Sequence, residues 1–242
     1  MPETIAIIPA RAGSERVPGK NTRMLAGHPL LAYSIAAAVD SGVCNRVVVS
    51  TDSEAIAEIA RDYGADVPGL RPSELATSDA HDIGFLRHAM EMWCPGEDDQ
   101  LWVILRPTSP LRAGNTVEQA HRKLVDLDWA DSIRALRPVA EHPSKMWRYD
   151  PATCEASTYI PGQTAFNGPI SQQEPLFVQA SSLEIVRRKP ALEHNSIAGA
   201  SVAGFVMPES ESHDINTAHD WIVLEHLVAE NPDVLPRARK VL

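Results

Sequence analysis

Residues 4–10 read Thr-Ile-Ala-Ile-Ile-Pro-Ala, and residues 11–21 read Arg-Ala-Gly-Ser-Glu-Arg-Val-Pro-Gly-Lys-Asn. A short apolar run that ends at a proline and a polar segment is typical of a buried strand followed by a loop. The cations of this loop are Arg11, Arg16, Lys20 and, just past it, Arg23. We therefore predict that a buried strand leads directly into a basic loop.

The segments that follow alternate between helical and strand patterns. The predicted helices cover residues 29–40, 54–63, 83–93, 116–127 and 217–230. The predicted strands cover residues 46–50, 101–105, 131–136, 182–186 and 201–206. Strands that alternate with helices predict an α/β fold whose sheet is mostly parallel.

The alternation stops at about residues 138–182, where Pro, Gln, Ser and Thr are frequent and periodicity is weak. Long segments without regular structure inside a compact domain are usually functional. We interpret this one as a small inserted subdomain or as long functional loops. The total length of 242 residues otherwise fits one α/β domain over residues 1–242.

Composition argues against several classes of protein. With 22 Lys and Arg against 32 Asp and Glu, the net charge is −10, whereas nucleic-acid and membrane-surface binders need a basic face. No apolar run approaches the roughly 18 residues of a membrane span, and residues 1–4 lack the pattern of a secretory signal. The three cysteines are widely spaced, which favours reduced thiols and a cytoplasmic location over a zinc site or disulfides.

The basic loop after the first strand carries the strongest chemical signal. Ligands of open α/β sheets bind at the carboxyl ends of strands, and Arg11, Arg16 and Lys20 supply charge for a polyphosphate. Gly13 would let backbone N–H groups approach an anion closely. The loop matches neither a Walker A motif nor a Gly-x-Gly-x-x-Gly fingerprint, and a solvated basic loop is the alternative.

A second polar segment follows the predicted strand at 101–105. Arg106 offers a charge and Thr108 and Ser109 offer hydroxyl groups, all near a strand end that should face the same site. A cation at Arg106 would suit a carboxylate. The alternative is a rigid turn made by the two prolines of this segment.

The segment Asp214-Ile215-Asn216-Thr217 contains the best candidate for a metal ligand. Mg²⁺ takes oxygen ligands, usually from one or two carboxylates, and Asp214 provides one. Asn216 can coordinate through its amide oxygen. The alternative is a helix N-terminus, in which Asn216 or Thr217 caps the helix that follows.

Taken together, these segments resemble the acylneuraminate cytidylyltransferases, also called CMP-sialic acid synthetases. The resemblance begins with Arg-x-Gly-Ser-x-Arg-Val-Pro-x-Lys-Asn after an Ile-Ile-Pro-Ala strand. Four further segments match in the family's order: 50–52 (Ser-Thr-Asp), 71–76 (Arg-Pro-Ser-Glu-Leu-Ala), 106–112 (Arg-Pro-Thr-Ser-Pro-Leu-Arg) and 214–217 with Asp220-Trp221. Five ordered matches identify the chain as a member of this superfamily.

The resemblance implies a Rossmann-like, three-layer nucleotide-diphospho-sugar transferase fold with an inserted dimerisation subdomain, and hence a homodimer. It also implies that CMP is transferred from CTP to the hydroxyl of an acidic sugar, with Mg²⁺ and with release of pyrophosphate. Such acceptors include sialic, legionaminic and pseudaminic acids. Alternatives are transfer to a non-sugar acid such as a phosphonate, and a catalytically silent nucleotide-binding protein.

The resemblance assigns roles to individual residues. It implies that the catalytic residues are Arg11, Lys20 and Asp214. It implies that the nucleotide binds to Ala10, Arg11, Ala12, Gly13, Ser14, Lys20, Asn21, Arg71 and Ser78. It implies that the acceptor contacts Arg106, Thr108, Ser109, Lys145 and Gln173, and that Mg²⁺ binds to Asp214 and Asn216.

The acceptor region departs from the family at two positions. Ser171 and Val178 stand where sialic-acid-specific members carry two arginines that meet the acceptor carboxylate. A carboxylate bound without a cation loses a charge-assisted hydrogen bond, about 1.5–3 kcal/mol. Either the acceptor is a different acid, or another cation replaces the lost charge, with the candidates Arg106, Lys145, Arg187 and Arg188.

Overall fold

The computed structural model describes residues 2–14, 17–162 and 164–241. Its strands are β1 (Thr4–Pro9), β2 (Met24–Leu25), β3 (His28–Pro29), β4 (Arg46–Ser50), β5 (Leu101–Ile104), β6 (Ser132–Pro138), β7 (Trp147–Tyr149), β8 (Ala156–Thr158), β9 (Phe177–Arg187) and β10 (Val202–Val206). Six of them form the central sheet, in the order β10-β6-β9-β5-β1-β4. Within it, β9 runs antiparallel to β5 and β6, and the other pairs are parallel. The predicted mostly parallel sheet is confirmed.

Helices cover both faces of this sheet. They are α1 (Leu30–Asp40), α2 (Glu54–Asp62), α3 (Asp82–His88), α4 (Gly114–Val125), α5 (Arg188–Glu193) and α6 (Ala218–Glu230). A π-helical turn at Ala89–Trp93 continues α3, so the predicted helix at 83–93 is one continuous helical segment with a change of hydrogen bonding.

Strand β1 shows how the sheet joins the layers. Ala6 and Ile8 point into a core formed with α1, α2 and α4, whereas Ile5 and Ile7 point into a core formed with α3 and α5. Alternate side chains of a strand lie on opposite faces, so an all-apolar strand must be covered on both sides. A third cluster packs α6 against α1 through Trp221.

The predicted insert at 138–182 contains a separate two-stranded sheet, β7 with β8. Its last part belongs to the central sheet, because β9 begins at Phe177 and pairs with β6 from Pro138 onward. The predicted strand at 182–186 is therefore only the second half of β9. Among the described residues, no helix has both the length and the apolar character needed to cross a membrane.

Candidate active site

A first cavity, of about 370 Å³, lies beyond the carboxyl ends of β1 and β5. It is lined by most of the residues predicted to bind the nucleotide: Arg11, Ser14, Lys20, Asn21, Arg71 and Ser78. Arg106, Thr108 and Asn216 line it too, so the fold brings Asn216 close to Thr108 although the two residues are 108 positions apart in the sequence. Ala10, Ala12 and Gly13 lie in the loop after β1 without lining the cavity, and Arg16 lies outside the described residues.

Hydrogen bonds hold the loop after β1 against its neighbours. Asn21 is buried, and its Nδ2 donates to the carbonyl oxygen of Arg11 at 2.9 Å. The backbone N–H of Ala12 donates to Oδ1 of Asp52 at 2.8 Å, which ties the loop to the segment after β4. A Cβ added at Gly13 would meet nothing within 4 Å, so packing in this structure does not require a glycine there.

Lys20 links this loop to the segment that contains the predicted metal ligands. Gly19 precedes it with a φ of 64°, a left-handed conformation that favours glycine, and begins the short 3₁₀ turn Lys20–Thr22. Nζ of Lys20 donates to the carbonyl oxygen of Ile215 at 3.0 Å. The ammonium group is therefore placed at the wall of the first cavity, next to Asn216.

Arg71 forms a buried part of the same wall. Its Nε donates to Oγ of Ser50 at 2.9 Å, and its Nη2 donates to the carbonyl oxygen of the same serine. Its guanidinium also lies 5.2 Å from the ring centre of Phe85. Burial lowers the pKa of Arg71 to about 10, against the opposing effect of Asp52 and Asp82.

Arg106 is already paired with carboxylates. Its Nη2 lies 2.5 Å from Oδ2 of Asp82, and its Nη1 lies 2.7 Å from Oε2 of Glu184. Burial alone would lower the pKa of Arg106, but Glu184 and Asp82 outweigh it and the net shift is upward. The charge that we expected to meet an acceptor carboxylate is therefore neutralised within the protein.

A second and larger cavity, of about 1240 Å³, adjoins the first, since Asn216 lines both. Ser109 and Asp214 line it from the segments after β5 and before α6. Arg137, at the end of β6, and residues 179–182 of β9 line it from the sheet. The two cavities thus meet at Asn216, and Asp214 lies at this junction on the side of the second cavity.

Asp214 is held in place by two side chains. Its Oδ1 accepts a hydrogen bond from Oγ of Ser109 at 3.3 Å, and its Oδ2 accepts one from Nδ2 of Asn216 at 2.9 Å. The backbone N–H of Ile215 donates to the carbonyl oxygen of Thr108 at 2.9 Å. The segments after β5 and before α6 are therefore joined through both side chains and backbone.

Thr217, and not Asn216, caps α6. The hydroxyl of Thr217 accepts from the backbone N–H of Asp220 at 3.3 Å, and Oδ2 of Asp220 accepts from the backbone N–H of Thr217 at 2.7 Å. The capping interpretation is confirmed for Thr217. It does not compete with a metal site, because Asp214 takes no part in the cap.

The residues at the junction suit a metal that arrives with its nucleotide. Among the described residues, no group of three or more His, Cys, Asp or Glu side chains could hold a metal ion. Mg²⁺, however, usually takes one or two protein carboxylates and completes its shell with waters and substrate phosphates. Asp214 provides one carboxylate beside the first cavity, and rotation of the Asn216 amide would present its oxygen.

Two predicted acceptor residues lie away from both cavities. Nζ of Lys145 donates to the carbonyl oxygens of Phe166 and Gly168 at 2.6 and 2.5 Å, within the inserted segment. Gln173 ends the 3₁₀ turn Ile170–Gln172 of the same segment. Neither residue lines the two cavities of the described chain, and their contact with the acceptor stays a prediction.

Sequence reasoning missed Arg137 in the second cavity. The predicted strand ended at residue 136, two residues before the observed end of β6 at Pro138, so Arg137 was not placed on the sheet. The available signal was its position: a cation at the carboxyl end of a sheet strand lies where ligands bind. The same prediction also missed that β9 bulges beside it.

Comparison with known proteins gives consistent matches. A sequence model of the family described as "Cytidylyltransferase" matches residues 5–91. CMP-N,N'-diacetyllegionaminic acid synthase of Legionella pneumophila is 34% identical over 238 residues, which cover 96% of this chain and 98% of that protein. N-acylneuraminate cytidylyltransferase of Streptococcus agalactiae serotype V is 30% identical over 228 residues, 92% of this chain and 53% of that protein.

A solved structure of CMP-2-keto-3-deoxy-manno-octonic acid synthetase in complex with CTP has the same fold. Its TM-score is 0.68 at 15% identity, over 94% of this chain and 99% of that one. This likeness confirms the predicted Rossmann-like α/β fold.

The 34% identity to the Legionella synthase, together with the family model over residues 5–91, shows that the chain is a cytidylyltransferase. More narrowly, the Legionella relative matches it over nearly the full length of both proteins. The chain belongs to the acylneuraminate cytidylyltransferase family, as its five ordered motifs predicted.

Proposed function

We propose that this protein transfers CMP from CTP to the hydroxyl of a nonulosonic acid and releases pyrophosphate. The observation that carries the proposal is the junction at Asn216, where a cavity lined by Arg11 and Lys20 meets a cavity lined by Asp214. A transferase that joins a nucleotide to an acceptor needs two adjacent subsites with the reacting groups at their boundary. The full-length likeness to a legionaminic acid synthase supports an acceptor of this class.

The cations of the first cavity would bind the triphosphate. Arg11, Lys20 and the polar groups of Ser14 and Asn21 line the part nearest the loop after β1. Negative charge builds on the departing pyrophosphate, and preorganised cations at that position stabilise the transition state most strongly. Lys20, which lies next to Asn216, would contact the pyrophosphate as it leaves the nucleotide.

The opposite wall would bind the cytosine. Arg71, Ser78 and Phe85 line the first cavity on this side, and they offer hydrogen-bonding groups beside an apolar surface. A flat base with polar edges needs this combination. Because Arg71 is anchored to Ser50 of β4, this wall is rigid before the nucleotide binds.

Asp214, with Asn216, would hold Mg²⁺ at the junction of the two cavities. When bound, the ion supplies Lewis acidity to the phosphate and to the acceptor hydroxyl. Ser109 fixes the orientation of Asp214 by its hydrogen bond, so the carboxylate is positioned before substrates arrive. The acceptor hydroxyl then attacks the α-phosphorus of CTP, and the bond between the α- and β-phosphates breaks.

The test is pyrophosphate release by the purified protein with CTP and Mg²⁺, against sialic, legionaminic, pseudaminic and ketodeoxynonulosonic acids. The same acids are assayed with ATP, GTP and UTP, and with EDTA in place of Mg²⁺. Release that requires CTP, one of these acids and Mg²⁺ would support the proposal. Binding of CTP without turnover on any acid would contradict it and direct the search to phosphonates or to a silent nucleotide-binding protein.

The inserted segment supports a homodimer as part of this proposal. It exposes several large apolar side chains: Met146, Trp147, Tyr149, Tyr159, Ile160, Ile170, Phe177 and Val178. Exposed apolar patches of this kind mark protein–protein contacts. Analytical ultracentrifugation should give a dimer for the native chain and a monomer for Trp147→Glu, and a monomeric native chain would exclude the dimer.

A cytoplasmic location is likewise our proposal. The three cysteines, Cys44, Cys94 and Cys154, are all free thiols, and Cys94 is buried. Reduced thiols are typical of proteins in a reducing compartment. Fractionation of the source cells, with this protein detected by antibody, would test it.

A further inference from the structure

Strand β9 leaves the regular ladder where it passes the second cavity. In its pairing with β6, Arg134 lies opposite Glu184, but Leu136 lies opposite Gln179, so several residues of β9 face a single residue of β6. Bulges of this kind redirect side chains and are frequent beside active sites. The bulged residues are 180–183, and the first three of them line the second cavity.

Two arginines hold the bulge from behind. Nη1 of Arg106 donates to the carbonyl oxygen of Ser181 at 3.2 Å, and Nη1 of Arg112 donates to the carbonyl oxygen of Ser182. Arg112 is fully buried, and burial lowers its pKa to about 9. Both carbonyl groups are thus occupied, which keeps the conformation of the bulge defined.

The hydroxyl of Ser182 is left without a partner among the described residues. Ser182 is only 2% exposed, yet its Oγ forms no hydrogen bond there, although the residue lines the second cavity. A buried polar group without a partner costs about 1–3 kcal/mol, so such groups in native structures call for a ligand or an ordered water.

Arg137, on the neighbouring strand β6, lines the same cavity as Ser182. It is paired with Val178 across the β6–β9 ladder, so the two side chains share a face. Among the described residues it is the single Lys or Arg that lines the second cavity, and no described side chain forms an ion pair with it. The other cations that could have served there are engaged, since Lys145, Arg187 and Arg188 donate to backbone carbonyls.

We infer that Arg137 and the hydroxyl of Ser182 bind the carboxylate of the acceptor acid and so determine which acceptors are used. This inference rests on the proposed function. A guanidinium binds a carboxylate through two parallel hydrogen bonds, and a neighbouring hydroxyl can donate a third. Four carboxylates line the same cavity and repel an acid, which favours binding of the acceptor carboxylate at Arg137 with its hydroxyl toward Asp214; they are Glu209, Asp214, Asp220 and Glu230.

The experiment measures KM for the acceptor and KM for CTP in Arg137→Ala, Arg137→Lys and Ser182→Ala. For Arg137→Ala we expect kcat/KM for the acid to fall about 10- to 100-fold through KM, with KM for CTP within twofold of native. Arg137→Lys should recover part of the loss, because the charge remains without the planar fork. For Ser182→Ala we expect a rise in acceptor KM of about 3- to 10-fold and no loss of thermal stability.

Arg122→Ala is the matched control. Arg122 lies on the exposed face of α4 and pairs with Glu118 of the same helix, so its removal changes the net charge equally without touching either cavity. A second control uses the carboxamide of the acceptor, on which native protein and Arg137→Ala should perform alike.

Three outcomes distinguish carboxylate binding by Arg137 from the transferase function itself. An active native protein whose acceptor KM is unchanged in folded Arg137→Ala would overturn this inference and leave the proposed function standing. A loss equal for the acid and its carboxamide would also overturn it, because a carboxylate contact must distinguish the two. Absence of turnover by the native protein with CTP and every acid would instead overturn the proposed function itself.

Discussion

Nη1 of Arg106 lies 2.7 Å from Oε2 of Glu184, a carboxylate that is completely buried in β9. Oε1 of the same carboxylate lies 3.3 Å from Nη1 of Arg134 and accepts a hydrogen bond from Gln179 at 2.9 Å. This network joins the segment after β5 to β6 and β9. It includes Gln179, which lines the second cavity. Sequence analysis predicted that Arg106 contacts the acceptor. In the structure, Arg106 binds to β9, the strand that lines the second cavity.

Glu184→Ala should destabilise the protein by about 3–5 kcal/mol, because the largely buried Arg134 loses its counter-charge and Arg106 keeps only Asp82. Urea denaturation measures the free energy of unfolding. The matched control is Asp82→Ala, which removes the other, half-exposed partner of Arg106 and should cost about 1 kcal/mol or less. Equal losses of unfolding free energy in the two variants would show that the burial of Glu184 does not increase its contribution to stability.

Lys20→Ala should reduce kcat about 10²- to 10³-fold, since it removes a cation from the leaving pyrophosphate, while the free energy of unfolding changes by less than about 1 kcal/mol. Lys123→Ala is an unusually close control. Nζ of Lys123 also donates to a backbone carbonyl at 3.0 Å, that of Gly204, but lies far from the cavities on α4. If Lys20→Ala turns over at the native rate while folded, Lys20 has no part in catalysis.

Asp214→Ala should abolish turnover or raise the Mg²⁺ concentration needed for half-maximal rate by at least about tenfold. Titration of the rate with Mg²⁺ at saturating CTP measures this. Thr217→Ala separates the two readings of this segment, because it removes the helix cap, at a cost of about 0.5–2 kcal/mol, and leaves Asp214 intact. A native Mg²⁺ titration for Asp214→Ala would remove this residue from the metal site.

Asp220 should stabilise α6 only while it is ionised. Backbone hydrogen bonds from Asn216 and then Thr217 lower its pKa below the ordinary value of 3.8. The folded-state pKa is therefore the lower one, so the stabilisation is present above the unfolded-state pKa and is lost as the pH falls through the folded-state value. The stability difference between native protein and Asp220→Ala, measured by thermal unfolding, should be about 0.5–1 kcal/mol at pH 6 and should shrink as the pH falls through the folded-state pKa. A difference that stays constant down to pH 2 would contradict this account.

Local sequence patterns predicted the strands and helices whose own side chains show the expected apolar spacing. β1, β4 and β5 are short apolar runs buried on both faces, and their predicted bounds differ from the observed ones by one residue at most. The first half of β9 was missed because Phe177, Val178 and Gln179 are exposed and show no strand alternation of buried residues. That half is a strand because it pairs with β6, about forty residues earlier in the chain, and such pairing is invisible to a local window.

The sequence by itself determined the α/β class, the basic loop after β1 and the family, because each depends on residues that are neighbours in the chain. Tertiary structure decided which side chains remain available for a ligand. Glu184 and Asp82 neutralise Arg106, whose contact with the acceptor stays a prediction, and Arg137 is available because the end of β6 meets the bulge of β9 at the second cavity. The charge that a side chain can offer depends on its partners in space, and those partners are brought together only when distant strands pair.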